Sequence, residues 1–158
     1  MVSIKILGAL LILGVGAVSA ISAVKYEKAK LSVADGWIDL IFYIRGQIDC
    51  YLTPLSEILS DEESAHFKAT LSNGNETDLS AILRSSSIYL DGESKRLLER
   101  FVREIGTCYR EEQVRRCDYY ITALRAQRER IAKDTPIRIR LAITLCFCIA
   151  VGSAILLW

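Results

Sequence analysis

The chain of 158 residues has a single histidine, no glycine-rich phosphate loop and almost no net charge, +1. Each scarcity excludes something. One histidine cannot supply a Ser-His-Asp or Cys-His set. His66 has no cysteine or second histidine at ligand spacing, so no metal site is expected and a solvated or half-buried ring is. Without the loop and its lysine there is no nucleotide site. A charge near zero gives no global field to draw nucleic acid or acidic substrates. Cys50, Cys108, Cys117, Cys146 and Cys148 form no even framework, which predicts a reducing compartment and unbridged, mostly buried thiols. No alternating β-branched segment asks to be a strand. Carboxylates are plentiful but sit among arginines: Glu111 and Glu112 with Arg115 and Arg116, and Glu129 with Arg125. Such mixed helix faces read as solvated surface. The sequence therefore argues against an enzyme, offers no catalytic residue and implies no cofactor.

What the chain does have is two apolar runs. Residues 6–24 follow Lys5 and are nineteen residues without a charge. Residues 141–158 are eighteen more, about 27 Å as a helix against a hydrocarbon core of roughly 30 Å, closing on Trp158, a residue suited to the interface. The first run has two readings, a leader cut after Val18-Ser19-Ala20 or a retained anchor. Its length, and its passage into Lys25, Tyr26, Glu27 and Lys28 without a turn signal, favour the anchor. Gly8, Ile12, Gly16 and Ala20 share one face at spacing four, a pattern that lets another membrane helix approach closely. Lys25, Lys28 and Lys30 follow the first run, and Arg138 and Arg140 precede the second. Both basic flanks belong to the middle region, which places that region in the cytoplasm and both ends outside. The Asn75-Glu76-Thr77 sequon reads as a coincidence in a polar turn, Asn73-Gly74-Asn75.

The middle region is helical throughout. Leu31, Ala34, Ile38, Ile41, Ile48, Leu52 and Leu55 step by three and four, with Arg45 at the one polar position. Val114, Cys117, Ile121, Leu124 and Ile131 repeat the pattern around Arg128. Matching seams predict two helices packed antiparallel, each arginine helping to fix register. Pro54 breaks the first helix and starts a short one over residues 54–59. Ser60-Asp61-Glu62-Glu63 reads as a capping box with Ser60 as cap, opening a helix to about Leu71 whose face is Ala65, Phe67 or Ala69, and Leu71. Thr77 or Asp78 caps the next, with Leu79, Ile82 and Leu83 inward, Leu90 a further candidate, and an end near Ser85–Ser87. Asp91 caps a helix carrying Leu97, Leu98, Phe101, Val102 and Ile105, and Gly106 ends it. A long helix from Tyr109 then runs through Pro136, a point where it can kink. The expected fold is all-α, a compact bundle of about six helices flanked by two terminal transmembrane helices. Its expected parts are 1–30, the first span and its exit; 31–136, the cytoplasmic bundle; and 137–158, the second span.

The order of these features resembles the stage III sporulation protein AB family. The resemblance rests on the Lys-Ile-Leu-Gly-Ala-Leu-Leu run at residues 5–11 and on Thr53, Pro54 and Leu55. It continues with Phe101, Ile105 and Gly106, then Glu111, Glu112 and Gln113, and ends on the charged helix entering the last apolar run. Where the family often has a small residue and an aspartate after the glycine, this chain has Thr107-Cys108-Tyr109. The resemblance implies a non-enzymatic membrane platform subunit of a sporulation channel between mother cell and forespore. It implies similarity to the inner-membrane platform proteins of type II secretion and type IV pilus machines. The implied partners are a cytoplasmic ATPase, stage III sporulation protein AA, and other membrane subunits of the apparatus. Candidate partner contacts are Asp61, Glu62 and Glu63, and Arg110, Arg115 and Arg116. Two alternatives stay open: a generic membrane-anchored helical adaptor, and a secreted helical domain with a cleaved leader and a C-terminal anchor.

Overall fold

A computed structural model describes residues 2–51, 53–72 and 76–157, with side chains described within 14–153 and at Ile155. Leu52 of the first seam, the turn at Asn73-Gly74-Asn75, the side chain of Ile12 and the terminal Trp158 lie outside the described residues. Six helices follow in order: α1 (Val2–Tyr51), α2 (Leu55–Ser60), α3 (Glu62–Ala69), α4 (Leu79–Ser86), α5 (Gly92–Glu104) and α6 (Arg110–Leu157). No strand occurs among the described residues. The chain divides into two units, a terminal unit (Met1–Ala29 with Ala132–Trp158) and a central unit (Lys30–Ile131).

In the central unit α1 is the core helix. Ala34, Ile38, Ile41 and Ile48 of the expected seam are buried. So are Val33, Trp37, Leu40 and Ile44, which widen the stripe well beyond a two-helix seam. The extra width exists because α1 is covered by several elements and not by α6 alone. Ile58, Leu71, Ile82, Leu98 and Phe101 from the short helices join the same cluster as Cys117, Tyr120, Ile121 and Leu124 of α6. Burying a side chain of the size of Leu, Ile or Phe contributes about 1.5–3 kcal/mol. Trp37 also donates its indole N–H to Ser86 Oγ at 3.0 Å, so its one polar atom is satisfied inside the core. Phe101 meets Tyr120 edge to face, ring centroids 5.4 Å apart.

Two reciprocal ion pairs tie α1 to α6. Arg45 donates to Asp118 at 2.6 and 3.2 Å. Arg128 donates to Asp35 at 2.9 and 3.1 Å. The partners are ten residues apart on each helix and run in opposite order, which is an antiparallel register. The seam arginines thus each find a carboxylate on the facing helix.

Local chemistry sets the helix ends, with three departures from expectation. Asp61 caps α3, not Ser60. The backbone of Asp61 is extended (φ −66°, ψ 143°) and its Oδ1 accepts from Glu63 N at 3.4 Å. Ser60 remains in the last turn of α2, where its hydroxyl donates to Glu57 O at 2.9 Å. The buried face of α3 is Ser64 and Lys68, with Ala65 and Phe67 half-buried and Ala69 exposed, and Leu71 is buried in the turn that follows. Lys68 is only 3% exposed because its ammonium donates to two backbone carbonyls, Leu59 O at 2.6 Å and Glu76 O at 3.2 Å. One of these lies in the last turn of α2, where carbonyls lack helical partners. The thiols are free, as expected, but only Cys117 is buried; Cys50 and Cys148 are exposed, on helix faces the chain does not cover. Asp78 and Asp91 cap α4 and α5 through Ser80 N and Ser94 N, each at 3.2 Å. Gly106 takes φ +81° and ends the passage out of α5.

In the terminal unit α1 and α6 approach each other at Gly16 and Ala150. A Cβ placed on Gly16 would lie 2.9 Å from Ala150 Cβ, and Ala150 is 5% exposed. The glycine is therefore what lets these backbones approach. Val15, Val18, Ile21, Leu141, Leu145, Phe147 and Ile149 are exposed. Among the described residues one helix, α6, is long and apolar enough to cross a membrane. The stretch expected as the first span is helical, and the side chains of residues 6, 7 and 9–13 within it lie outside the described ones.

Candidate interaction surface

The residues singled out by sequence fall into three places. Thr53, Pro54, Leu55, Gly106 and Gln113 line one groove of about 420 Å³, together with Arg110. The local chemistry of each explains why. Proline has no N–H to continue α1, so the chain leaves the helix, and Pro54 O instead receives Glu57 N at 3.0 Å and Ile58 N at 3.1 Å to start α2. Gly106 supplies the left-handed turn between α5 and α6. Gln113 folds its amide back onto Cys108 O, closing that turn against the first turn of α6. Arg110 donates to the carbonyl oxygen of Asp49 and, at 3.0 Å, to its carboxylate. A cation at the C-terminal end of α1 satisfies an orphan carbonyl and the helix dipole together. These residues build a corner that locks the end of α1 to the start of α6. Phe101 is not part of it; it belongs to the buried core.

The arginines at the start of α6 are engaged within the chain. Arg116 reaches Glu112 at 3.1 Å and Glu104 at 3.7 Å, and Arg115 also pairs with Glu112. The hydrogen bond from Arg116 holds the Glu112 carboxyl below its ordinary range. Tyr120 donates to Glu104 at 2.8 Å, so Glu104 joins the core aromatic pair to this surface network. Arg110, Arg115 and Arg116 thus act first as internal ties.

The acidic positions differ. Asp61 is occupied as a cap and accepts Tyr43 O–H at 2.9 Å. Burial, followed by that bond, pushes the Tyr43 hydroxyl up to about 12, so it remains a donor. Glu62 and Glu63 are exposed. No cation among the described residues lies within ion-pairing distance of either. His66 is exposed and sits edge-on to Phe67 at 5.8 Å. No group of three or more metal-binding side chains occurs among the described residues.

One surface escaped the sequence reading. α1 carries a second stripe, Asp39, Phe42, Tyr43, Gly46 and Cys50, also at steps of three and four, lining an open groove of about 370 Å³. The spacing was visible in the sequence, but the aspartate, glycine and cysteine hid it from an apolar count.

No curated protein and no solved structure matches the chain. The family model described as stage III sporulation protein AB matches residues 5–158.

Proposed function

Because the chain belongs to the stage III sporulation protein AB family, we propose that it is a non-enzymatic platform subunit of a sporulation channel. In this reading it sits in the mother-cell membrane facing the forespore. Both apolar ends span that membrane, and the central unit lies in the cytoplasm. There it receives conformational work from a cytoplasmic ATPase, stage III sporulation protein AA, and passes it to the other membrane subunits. The observation that carries the reading is the continuity of α1 and α6. Each runs without a break from an exposed apolar stretch into the central bundle. Within that bundle the two helices are pinned by Arg45–Asp118 and Arg128–Asp35. A pair of helices pinned to each other in this way suits a lever, a part that transmits motion and needs no chemistry of its own.

Topology tests this first. Single cysteines at the exposed Ser56 and Lys95, in a chain freed of its own cysteines, are treated with a membrane-impermeant maleimide. Labelling only after the cells are opened supports a cytoplasmic central unit. Labelling in intact cells overturns it, since no cytoplasmic ATPase then reaches the bundle. The ATPase itself is tested by copurification from sporulating cells in mild detergent. Absence of stage III sporulation protein AA from the purified complex, with the other membrane subunits present, removes it as the partner.

A further inference from the structure

The outward face of α1 is built like a docking surface: Phe67 covers one side, its ring stacked on Tyr43 with centroids 5.1 Å apart, and the rest stands open. Phe42 is 60% exposed and Tyr51 is 72% exposed, while Leu40 and Ile44 on the same helix are fully buried. Exposed apolar side chains in the terminal unit have lipid as a natural neighbour; Phe42 and Tyr51, in a helix stretch patterned with charges, do not. Gly46 lies between them, and a Cβ there would meet nothing within 4 Å. Glycine inside a helix costs about 1 kcal/mol against alanine. No described atom of this chain uses the space that cost provides; Gly14 and Gly152 are open too but lie in the apolar terminal unit, whereas Gly36, on the inward side of the same stretch, has Leu71 against it.

The surroundings are acidic. A second groove, of about 590 Å³, shares Gln47 and Tyr51 with the first and is lined by Glu57, Asp61 and Glu63. Asp39 flanks the other end. Among the described residues no lysine or arginine lines either groove. Asp39, Glu57 and Glu63 have no ion-pair partner among the described residues.

We propose that this face, from Asp39 to Tyr51 with the acidic rim of α2 and α3, docks an amphipathic helix of another protein. That helix carries an apolar stripe, packs closely over Gly46, and is flanked by lysine or arginine. Charge complementarity selects the occupant. Two copies of this chain meeting through the same face would bring like carboxylates together. The basic outer face of α5, with Lys95, Arg96, Arg100 and Arg103, exposes no apolar side chain to fill the groove. The inference rests on the platform reading for the existence of a protein partner and deepens it by naming the contact.

The test uses the full chain in sporulating cells with a photo-crosslinking amino acid in place of Phe42, and in place of Ile88 as a control. Crosslinked peptides are identified by mass spectrometry. The expected result is an adduct at position 42 to a lysine- or arginine-rich amphipathic helix of another protein, absent at position 88. Gly46→Leu is expected to cut the adduct tenfold or more while the chain still accumulates in the membrane, since the space in front of Gly46 is open. Glu57→Lys with Glu63→Lys is expected to cut it about fivefold. No adduct, an adduct to this chain itself, or an adduct to an acidic segment overturns the inference. An adduct to a basic helix of a protein other than the ATPase leaves the inference standing and removes only the ATPase from the platform reading.

Discussion

On its inward face α1 buries Trp37, Leu40, Ile41 and Ile44 under α6 and the short helices. On its outward face Phe42, Gly46 and Cys50 stand open at the same three-and-four spacing. The two faces share a pattern and differ in complement. The inward face meets buried apolar side chains from α2, α4, α5 and α6 and two carboxylate–guanidinium pairs; the outward face meets the Phe67 ring, stacked on Tyr43, and otherwise carboxylates and solvent. Spacing places residues on one side of a helix, but only tertiary partners decide whether that side is core. Substitutions in matched pairs, one from each face, separate these two states.

The largest contrast is between two aromatics five residues apart. Trp37→Ala removes a fully buried side chain and leaves Ser86 without its donor, at a cost of about 3–5 kcal/mol. Phe42→Ala is expected within about 0.5 kcal/mol of the parent, as for an exposed position. Chemical unfolding of the detergent-solubilised chain, followed by circular dichroism, reads both. Equal effects would mean that Phe42 is covered within the chain and that the two faces do not differ.

Two thiols sharpen the same contrast. Burial, with Asp118 beside it, pushes Cys117 up to about 11 from an ordinary 9.0, whereas Cys50 is exposed on the outward face. A thiol whose value is raised on folding favours the native state while protonated, so its contribution is complete below about pH 9 and is lost as pH rises through about 11. Cys117→Ser is therefore expected to flatten part of the fall in stability across that window, and Cys50→Ser to leave it unchanged. At pH 7.5 a maleimide should modify Cys50 many-fold faster than Cys117. Comparable rates would place Cys117 outside the core.

The glycines give the next contrast, within one helix. Gly16→Leu drives a side chain into Ala150 and is expected to cost about 1–3 kcal/mol. Gly46→Ala meets open space and is expected to gain up to about 1 kcal/mol from helix propensity. Thermal midpoints of the two variants, in the same detergent, should move in opposite directions. A destabilised Gly46→Ala would show that this chain already fills the outward groove.

Much of this fold was legible because its signals are local or periodic. Asp78 and Asp91 cap where short polar residues precede apolar helices, and Gly106 turns where a glycine follows Ile105. Leu98, Phe101, Cys117, Ile121 and Leu124 are buried as their spacing requires. The failures have a common cause, which is that neighbours reassign a residue. Ser60 was outbid as a cap because Asp61, one step later, has the extended backbone and the charged acceptor. Lys68, absent from the expected face of α3, is buried because Leu59 O and Glu76 O supply it with acceptors. Ser86 does end α4, as its serine run requires, but its burial against Trp37, forty-nine residues away, is a tertiary fact. At the surface, Thr53, Pro54, Leu55, Gly106 and Gln113 could be picked out singly, but their meeting in one corner is a fact of tertiary structure. The three arginines singled out beside them each also make an ion pair within the chain, which their spacing alone did not reveal.

The smallest expected effects belong to the ion pairs, and they bear most directly on how α1 and α6 are matched in the central unit. Arg45–Asp118 and Arg128–Asp35 are two-pronged, a geometry stronger than a single contact. Their side chains are nonetheless 30–53% exposed, so solvent screens them and each is expected to contribute about 0.5–1 kcal/mol. Their value lies in selecting a register. A one-turn slip of α6 along α1 would keep an apolar seam in contact, since the seam repeats, but would separate both arginines from their carboxylates. Asp35→Arg sets a second cation beside Arg128 and is expected to destabilise by more than Asp35→Asn. Adding Arg128→Asp to Asp35→Arg should recover most of that loss, and the same exchange at Arg45 and Asp118 should behave alike. A double-mutant cycle read by unfolding in low salt measures the coupling, and raising the salt should shrink it. Zero coupling at both pairs, in low salt, would leave the apolar seam as the sole determinant of register and would make α1 and α6 free to slide, which a lever that transmits motion cannot be.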